Sequence, residues 1–115
     1  MSCKRFEVWI ADLNPRFGTE PGKTRPILVV QNDFMNKRFP STIVCPITTY
    51  VRGKTSIIRL NLEQGEAGLN ERSAIMIDQI RAIDKKRLLK KIGTLSEKHT
   101  TKLEENIKIV LGFNF

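Results

Sequence analysis

The chain is poor in the residues that most often carry enzymatic chemistry. Its 115 residues include one histidine, one tryptophan, one tyrosine and two cysteines. Neither cysteine belongs to a CxxC pair, and one histidine cannot complete a zinc site with them. Cys3, at a terminus expected to be mobile, and Cys45, inside an apolar run, are expected as reduced thiols; a disulfide between them is the alternative. No stretch approaches the roughly 18 apolar residues of a membrane span. The opening Met1-Ser2-Cys3-Lys4-Arg5 leads to Glu7 and Asp12 rather than to the apolar segment of a signal peptide, so a cytosolic protein is expected. HExxH, Walker, GxSxG and GxGxxG patterns are all missing, as are repeats, linkers and low-complexity tracts. These absences set aside zinc proteases, P-loop NTPases, α/β-hydrolases and dinucleotide enzymes.

What the chain does have is positive charge. The formal net charge is +8, unevenly placed. Residues 1–59 hold ten Lys/Arg against four Asp/Glu (+6), residues 60–80 one against four (−3), and residues 81–115 nine against four (+5). A soluble surface that is merely basic would look the same. The sharper reading is a polyanionic partner, nucleic acid before membrane because no amphipathic membrane-binding helix stands out. Residues 1–115 suit one domain, and its small core makes dimerisation a natural source of extra stability.

The pattern of residues predicts a mainly β domain of short strands closed by one C-terminal helix. Residues 6–13 mix β-branched and aromatic side chains before Asn14-Pro15, and residues 26–31 (PILVVQ) form an almost wholly apolar run expected of a strand buried on both faces. A polar connection over 32–41 leaves room for a helical turn. Residues 42–48 (TIVCPIT) read as a third strand, placed by Pro46 at a sheet edge or a bulge. After a turn at Arg52-Gly53-Lys54, residues 56–62 alternate as a half-buried strand, and residues 73–83 form one long β pattern ending at Asp84. A basic turn over 84–87 precedes a last strand near 91–95. Ser96 is expected to cap a helix with the stripe Leu103, Ile107, Val110 and Leu111, ending at Gly112.

Gly65-Glu66-Ala67-Gly68 fits a GxxG phosphate clamp, but Glu66 would repel phosphate, so it reads as a turn. His99 falls in the first turn of the terminal helix and reads as a packed or surface histidine; Glu104 and Glu105 are neighbours on the same helix and read as a solvated face. The remaining candidate is the loop Arg16-Phe17-Gly18-Thr19-Glu20-Pro21-Gly22-Lys23-Thr24-Arg25-Pro26. Arg25 offers a planar fork of donors for a phosphate, Glu20 a carboxylate for a ribose 2′-hydroxyl, and Phe17 a ring for an unpaired base. Pro26 keeps Arg25 extended. A turn carrying an ordinary surface arginine remains the alternative on composition alone.

Gly18-Thr19-Glu20, then Arg25-Pro26 running into Ile27-Leu28-Val29-Val30-Gln31-Asn32-Asp33, closely resembles the signature of MazF/PemK-like toxins. The likeness continues at Val44-Cys45-Pro46-Ile47-Thr48-Thr49 and at Asp78-Gln79-Ile80-Arg81-Ala82-Ile83-Asp84 with Arg87-Leu88, and so spans nearly the whole chain. It implies a CcdB/MazF-type fold, an SH3-like β-barrel with a C-terminal α-helix, assembled as a homodimer. It implies metal-independent, cofactor-free cleavage of single-stranded RNA within a short sequence, giving a 2′,3′-cyclic phosphate and a 5′-hydroxyl. Arg25 and Thr48 match the family's catalytic pair, with Glu20 beside them as the residue that orients or deprotonates the 2′-hydroxyl. Phe17, Thr19, Lys23, Thr49, Lys54, Asp78 and Gln79 are the expected RNA contacts. The implied partner is an antitoxin whose acidic, flexible tail covers the RNA groove.

Two positions depart from the Kid/PemK branch. Met76 stands where those members have a basic residue, and Thr19 where they have a histidine in the first loop. The Arg25/Thr48 form of the mechanism therefore fits better than one centred on Asp78. Two other functions stay open at this level: a non-catalytic CcdB-like toxin that inhibits a protein target such as gyrase, and a plain nucleic-acid-binding β-barrel.

Overall fold

Seven short strands and two α-helices are arranged along residues 2–113, which the computed structural model describes. Strands β1 (Glu7–Asp12), β2 (Thr24–Val29) and β3 (Ser41–Thr48) pair antiparallel in sequence order. Helix α1 (Asp33–Arg38) fills the polar connection before β3; the Asn32 side chain caps it by accepting the Met35 N–H at 2.9 Å. Strands β4 (Arg59–Leu62) and β5 (Ser73–Met76) form an antiparallel pair, and β5 extends the sheet from the end of β3. Strand β6 (Arg81–Asp84) pairs with the start of β3, β7 (Leu88–Thr94) returns to β1, and helix α2 (Glu97–Leu111) follows.

The connections dictate the curvature. In the run β6-β3-β2-β1-β7 the two end strands are joined only by the 3₁₀ turn Lys85–Arg87, so the sheet must curl back on itself. Side chains alternate between faces along a strand, and here each face has its own core. Trp9, Ala11, Leu13, Ile27, Val29, Val44, Ile83 and Leu88 fill the inside of the curl. Val8, Leu28, Cys45 and Ile47 point the other way, against Leu60, Leu62 and Ile75 of the β4–β5 pair and Leu103 of α2. Ile27, Leu28 and Val29 are all fully buried for this reason, as their unbroken apolar run predicts. A barrel-like, mainly β architecture with a C-terminal helix is what the resemblance implies.

Five local expectations need correction. Pro46 lies on the central strand, not an edge: it pairs with Ile27, and beside it β3 changes partner from β6 to β5. The ladder is interrupted there on one side, so a missing N–H is tolerated. Residues 73–83 are two strands rather than one, for the same reason. Val44 pairs with Arg81 and Ile47 with Ile75, so three steps along β3 face six along the other chain. The surplus loops out as the 3₁₀ turn Ile77–Gln79, which lifts Asp78 into solvent. The strand expected over 56–62 begins only at Arg59, leaving Ile57 and Ile58 exposed, and β7 begins at Leu88, earlier than expected. Cys3 is no loose end: it is buried in the inner core, and both thiols are free.

Helix α2 starts and stops where expected but is held differently. Ser96 occupies the cap position, yet its hydroxyl donates to Glu66 at 3.0 Å and its N–H donates to the same carboxylate at 2.8 Å. Leu111 is exposed rather than part of the packed stripe, and the place of a core residue is taken by Asn106, fully buried, which donates to Ser56 O at 3.2 Å. The Gly65–Gly68 turn is structural. A Cβ on Gly68 would lie 1.9 Å from Ile92 O, so this turn and β7 touch backbone to backbone.

Candidate active site

The β2–β3 ladder brings the two strongest candidates to the same end of the sheet. Ile27 pairs with Pro46, where that ladder ends, and Arg25 and Thr48 each lie two residues beyond it on their own strand, on the face of Ile27. Thr48 pairs with Ala74 and Ala74 with Asn61, so Thr48, Ala74 and Asn61 form one row across three strands. Arg59, paired with Met76, lies in the next row. The row sits at the rim of the curl, just past the buried Ile27 and Val44.

Backbone contacts aim Arg25. Its Nε donates to Gly22 O at 2.9 Å, which leaves the two terminal nitrogens for a ligand. Gly22 is buried against Arg16: a Cβ there would meet Arg16 Cβ at 2.6 Å. The loop is closed at its base by Leu13 N–H to Lys23 O (2.9 Å) and by Lys23 N–H to Asn14 Oδ1 (2.8 Å), with Lys23 at φ 66°. Arg87 reaches in from the 3₁₀ turn and donates to Asp12 O at 2.9 Å and also to Asn14 O. Partial burial lowers the Arg25 pKa, and the nearby Arg16 charge lowers it further. A guanidinium stays charged at neutral pH even so, and no carboxylate among the described residues pairs with Arg25.

Thr48 ends β3 at the edge of an open hollow of about 460 Å³ shared with Tyr50, Arg52, Lys54, Ser56, Ile58, Arg59 and Met76. Its hydroxyl oxygen accepts the Tyr50 N–H at 3.1 Å, so its own proton is available to a phosphate oxygen. Arg52 lies over the Tyr50 ring, 5.0 Å from the centroid. Arg59 pairs with Asp78 and donates to Ile58 O at 3.0 Å. Asn61 ties the 49–58 connection to β4 through Gly53 O (2.8 Å) and Thr55 Oγ1 (3.0 Å).

The other candidates distribute unevenly. Lys54 and the Asp78–Arg59 pair flank the Thr48 hollow or its neighbouring row. Thr49 lines a second hollow, with Ile10, Pro26, Ile47 and Lys90, which Thr48 also borders. Phe17 is 81% exposed, and Thr19, Glu20 and Lys23 are exposed on the same loop. Glu20 is fixed only through its backbone, N–H to Phe17 O at 3.0 Å; its carboxylate has no partner among the described residues. Gln79 is half-buried on the Ile77–Gln79 turn. Nothing in the sequence assigns a role to Tyr50, Arg52, Arg59 or Asn61, and although Gly22 and Arg87 stand in the loop and the motif, nothing local shows that they brace Arg25 and the loop base. Among the described residues no cluster of His, Cys, Asp and Glu is placed to hold a metal ion, and no helix is long and apolar enough to cross a membrane.

Comparison with known proteins points one way. Residues 4–111 match the family model described as PemK-like, MazF-like toxin of type II toxin–antitoxin system. The chain is 37% identical to endoribonuclease MazF of Staphylococcus epidermidis over 96% of its own length and 92% of that protein's. It is 38% identical to endoribonuclease EndoA of Bacillus subtilis (strain 168), covering 97% of each. Among solved structures it resembles a mycobacterial endoribonuclease in complex with its cognate antitoxin, at a TM-score of 0.78 and 18% identity, over 99% of this chain and 97% of that one.

Proposed function

We propose that this chain, which belongs to the PemK-like, MazF-like toxin family of type II toxin–antitoxin systems and is an endoribonuclease like its relatives, cuts single-stranded RNA at a short sequence without a metal ion. The carrying observation is that Arg25 and Thr48 both lie two residues past the end of the β2–β3 ladder, on one face, each with donors left free. The terminal nitrogens of Arg25 grip the scissile phosphate and steady the charge that builds on its oxygens. The Thr48 hydroxyl donates to the same phosphate. The ribose 2′-oxygen attacks phosphorus and forms the new P–O2′ bond, the P–O5′ bond breaks, and the 2′ proton leaves as the 5′ oxygen gains one. Products are a 2′,3′-cyclic phosphate and a 5′-hydroxyl. Glu20 orients or deprotonates the 2′-hydroxyl, a role its unpaired carboxylate permits. Phe17, Thr19, Lys23, Thr49, Lys54, Asp78 and Gln79 contact the strand on either side.

The working unit is a cytoplasmic homodimer. An apolar groove of about 270 Å³ beside α2, lined by Val30, Ile43, Ile80, Ile107 and Phe113 among others, is suited to a second copy. The regulating partner is an antitoxin whose acidic, flexible tail lies in the basic rim, in keeping with the antitoxin complex of the mycobacterial relative.

Mapping 5′ ends of RNA cut by the purified protein in EDTA tests the proposal. Cleavage at a recurrent short sequence with 5′-hydroxyl ends is expected, lost when one 2′-hydroxyl at the cut is replaced by hydrogen. Arg25→Ala should slow cutting by about 10³-fold. Cutting of the deoxy-substituted bond, or dependence on a metal, overturns the chemistry. Growth arrest that survives Arg25→Ala points instead to inhibition of a protein target.

A further inference from the structure

Basic residues lie in a strip leading away from the rim. It starts beside Arg87, the brace of the loop base anchored on the Asp12 and Asn14 carbonyls. Arg87 ends the 3₁₀ turn Lys85–Arg87, whose other end is fixed to the α1 region: the Lys85 N–H donates to Pro40 O at 2.9 Å, and its ammonium donates to Asn36 O. The turn therefore bridges loop and helix with Lys86 between them. Lys37 and Arg38, in the last turn of α1, carry the strip onward. The Arg38 guanidinium lies over the Phe34 ring, 3.7 Å from its centroid, and Phe34 is 65% exposed.

The carboxylates nearby are already engaged. Asp84 accepts the Lys86 N–H at 2.8 Å, and Asp33 accepts the Arg5 N–H at 2.7 Å. Neither Lys37 nor Lys86 makes a close ion pair among the described residues, and Lys37 acts on Asp33 only at longer range, as one of the charges that help to lower its pKa. Cations without close carboxylate partners, beside an exposed Phe34 that already stacks one guanidinium and whose carbonyl accepts its hydrogen bond at 2.9 Å, suit a single-stranded nucleic acid, whose phosphates take the charges and whose bases stack on the exposed ring–guanidinium pair. The strip is also continuous with the loop that carries Arg25.

We propose that Lys86, Lys37, Arg38 and Phe34 form a second, non-catalytic RNA-binding surface that holds the single strand outside the segment being cut. The proposal rests on the endoribonuclease reading above. It makes long RNA a better substrate than the minimal cleavable one, with the gain in binding rather than in the chemical step.

Two oligoribonucleotides with the same mapped cut site, one of roughly eight nucleotides and one about three times longer, distinguish the surfaces. The full chain is compared with the triple variant Lys37→Ala/Arg38→Ala/Lys86→Ala and with Phe34→Ala, measuring kcat, KM and fluorescence-anisotropy binding. The wild type should show a lower KM for the longer RNA. The triple variant should lose most of that preference, about tenfold in KM, with kcat and all constants for the short RNA unchanged. Three lost phosphate contacts should flatten the log–log salt dependence for long RNA by about 2, roughly a 20-fold effect between 50 and 200 mM salt. Phe34→Ala should weaken long-RNA binding about tenfold while leaving that slope in place.

A wild type with no preference for long RNA overturns the proposal. So does a triple variant that keeps the preference, including one that loses affinity only for an acidic peptide, which would make the strip a protein-binding surface. Equal loss on both oligomers also overturns it. A wild type that binds long RNA more tightly but cuts neither oligomer defeats the nuclease reading and leaves the strip standing.

Discussion

Gly22→Ala should disable the enzyme while barely unfolding it. A Cβ at residue 22 would sit 2.6 Å from Arg16 Cβ and 3.3 Å from Arg16 Cα. Ordinary carbon–carbon contact is about 3.5–4.0 Å, so the first distance is short by about 1 Å. No rotamer change relieves it, because the clashing atom is a Cβ. Gly22 is not among the glycines with positive φ, so the cost is steric and not conformational. The loop is exposed and can move outward, which puts the penalty near the low end of overpacking, about 1 kcal/mol, or roughly 4 °C in Tm. The same movement carries away Gly22 O, the acceptor that aims Arg25 Nε at 2.9 Å. Misplacing a catalytic group by about 1 Å costs about 10²-fold in the chemical step. Single-turnover cleavage at saturating RNA should therefore fall about 100-fold while thermal melting moves a few degrees. The double-mutant cycle with Arg16→Gly is decisive, since removing Arg16 Cβ removes the clash. If Gly22→Ala costs as much in the Arg16→Gly background as in the wild type, the steric reasoning is wrong.

Three further outcomes follow from the same geometry. Arg87→Ala removes two charge-assisted bonds to the Asp12 and Asn14 carbonyls, and because water can replace part of them the loop base should loosen by about 1–2 kcal/mol. Cleavage should drop about tenfold, Arg87→Lys should recover part of it, and amide exchange at Leu13 and Lys23 should accelerate; unchanged exchange would show that Arg87 does not brace the loop. Thr48→Val, which keeps shape but loses the donor, should slow cutting about 10²-fold, whereas Thr48→Ser should stay within a few-fold; equal losses would assign Thr48 a packing role. Burial alone would raise the Glu7 pKa, but hydrogen bonds from Lys91, the Lys4 N–H and the Trp9 indole outweigh it and hold the carboxyl below 4.5. A depressed carboxyl stabilises the fold above its unfolded pKa and stops doing so as pH falls through its folded value. Urea unfolding followed by Trp9 fluorescence should lose stability as pH drops below about 4.5, and Glu7→Gln should flatten that acid limb; an unchanged limb would mean that another group controls it.

Much of the fold was legible because burial writes itself into period and run length. The run from Ile27 to Val29 reads as a strand covered on both faces, and the two cores bear this out. Ser96 and Gly112 mark the ends of α2 correctly. The failures share one cause, long-range pairing that no local pattern reports. Pro46 reads as an edge or a bulge, and only the irregular ladder is there, because a one-dimensional reading cannot see β3 exchange β6 for β5 beside it. The break at Ile77–Gln79 is invisible for the same reason: residues 73–83 are apolar enough for one strand, and only three surplus residues opposite β3 force the turn. Asn106 was passed over because a buried amide on an apolar helix face depends on its contact with Ser56, fifty residues earlier. At the candidate site, Arg25 and Thr48 rest on family resemblance. That both lie past one end of the β2–β3 ladder depends on register, as does the arrival of Arg59 and Asn61 near Thr48.

The rim is built against its own stability, and this connects the fold to the activity. Placing Arg25 half-buried beside Arg16 lowers its pKa, so the charged form is less favoured in the folded chain than in the unfolded one. The sign of the linkage is fixed by that direction. Throughout the neutral range, where arginine is charged in both states, the site subtracts from folding free energy. The inner core just below, with Ile27, Val29 and Val44 fully buried, holds the strands in register despite the repulsion. Under the proposed function, a phosphate bound at Arg25 would offset that repulsion. The Nε bond to Gly22 O at 2.9 Å holds Arg25 on the loop and leaves its two terminal nitrogens free. Preorganisation of this kind would, in the proposed reaction, stabilise charge developing on the phosphate without reorganising the protein. An arginine fully satisfied by a carboxylate would make the fold more stable and the rim chemically inert.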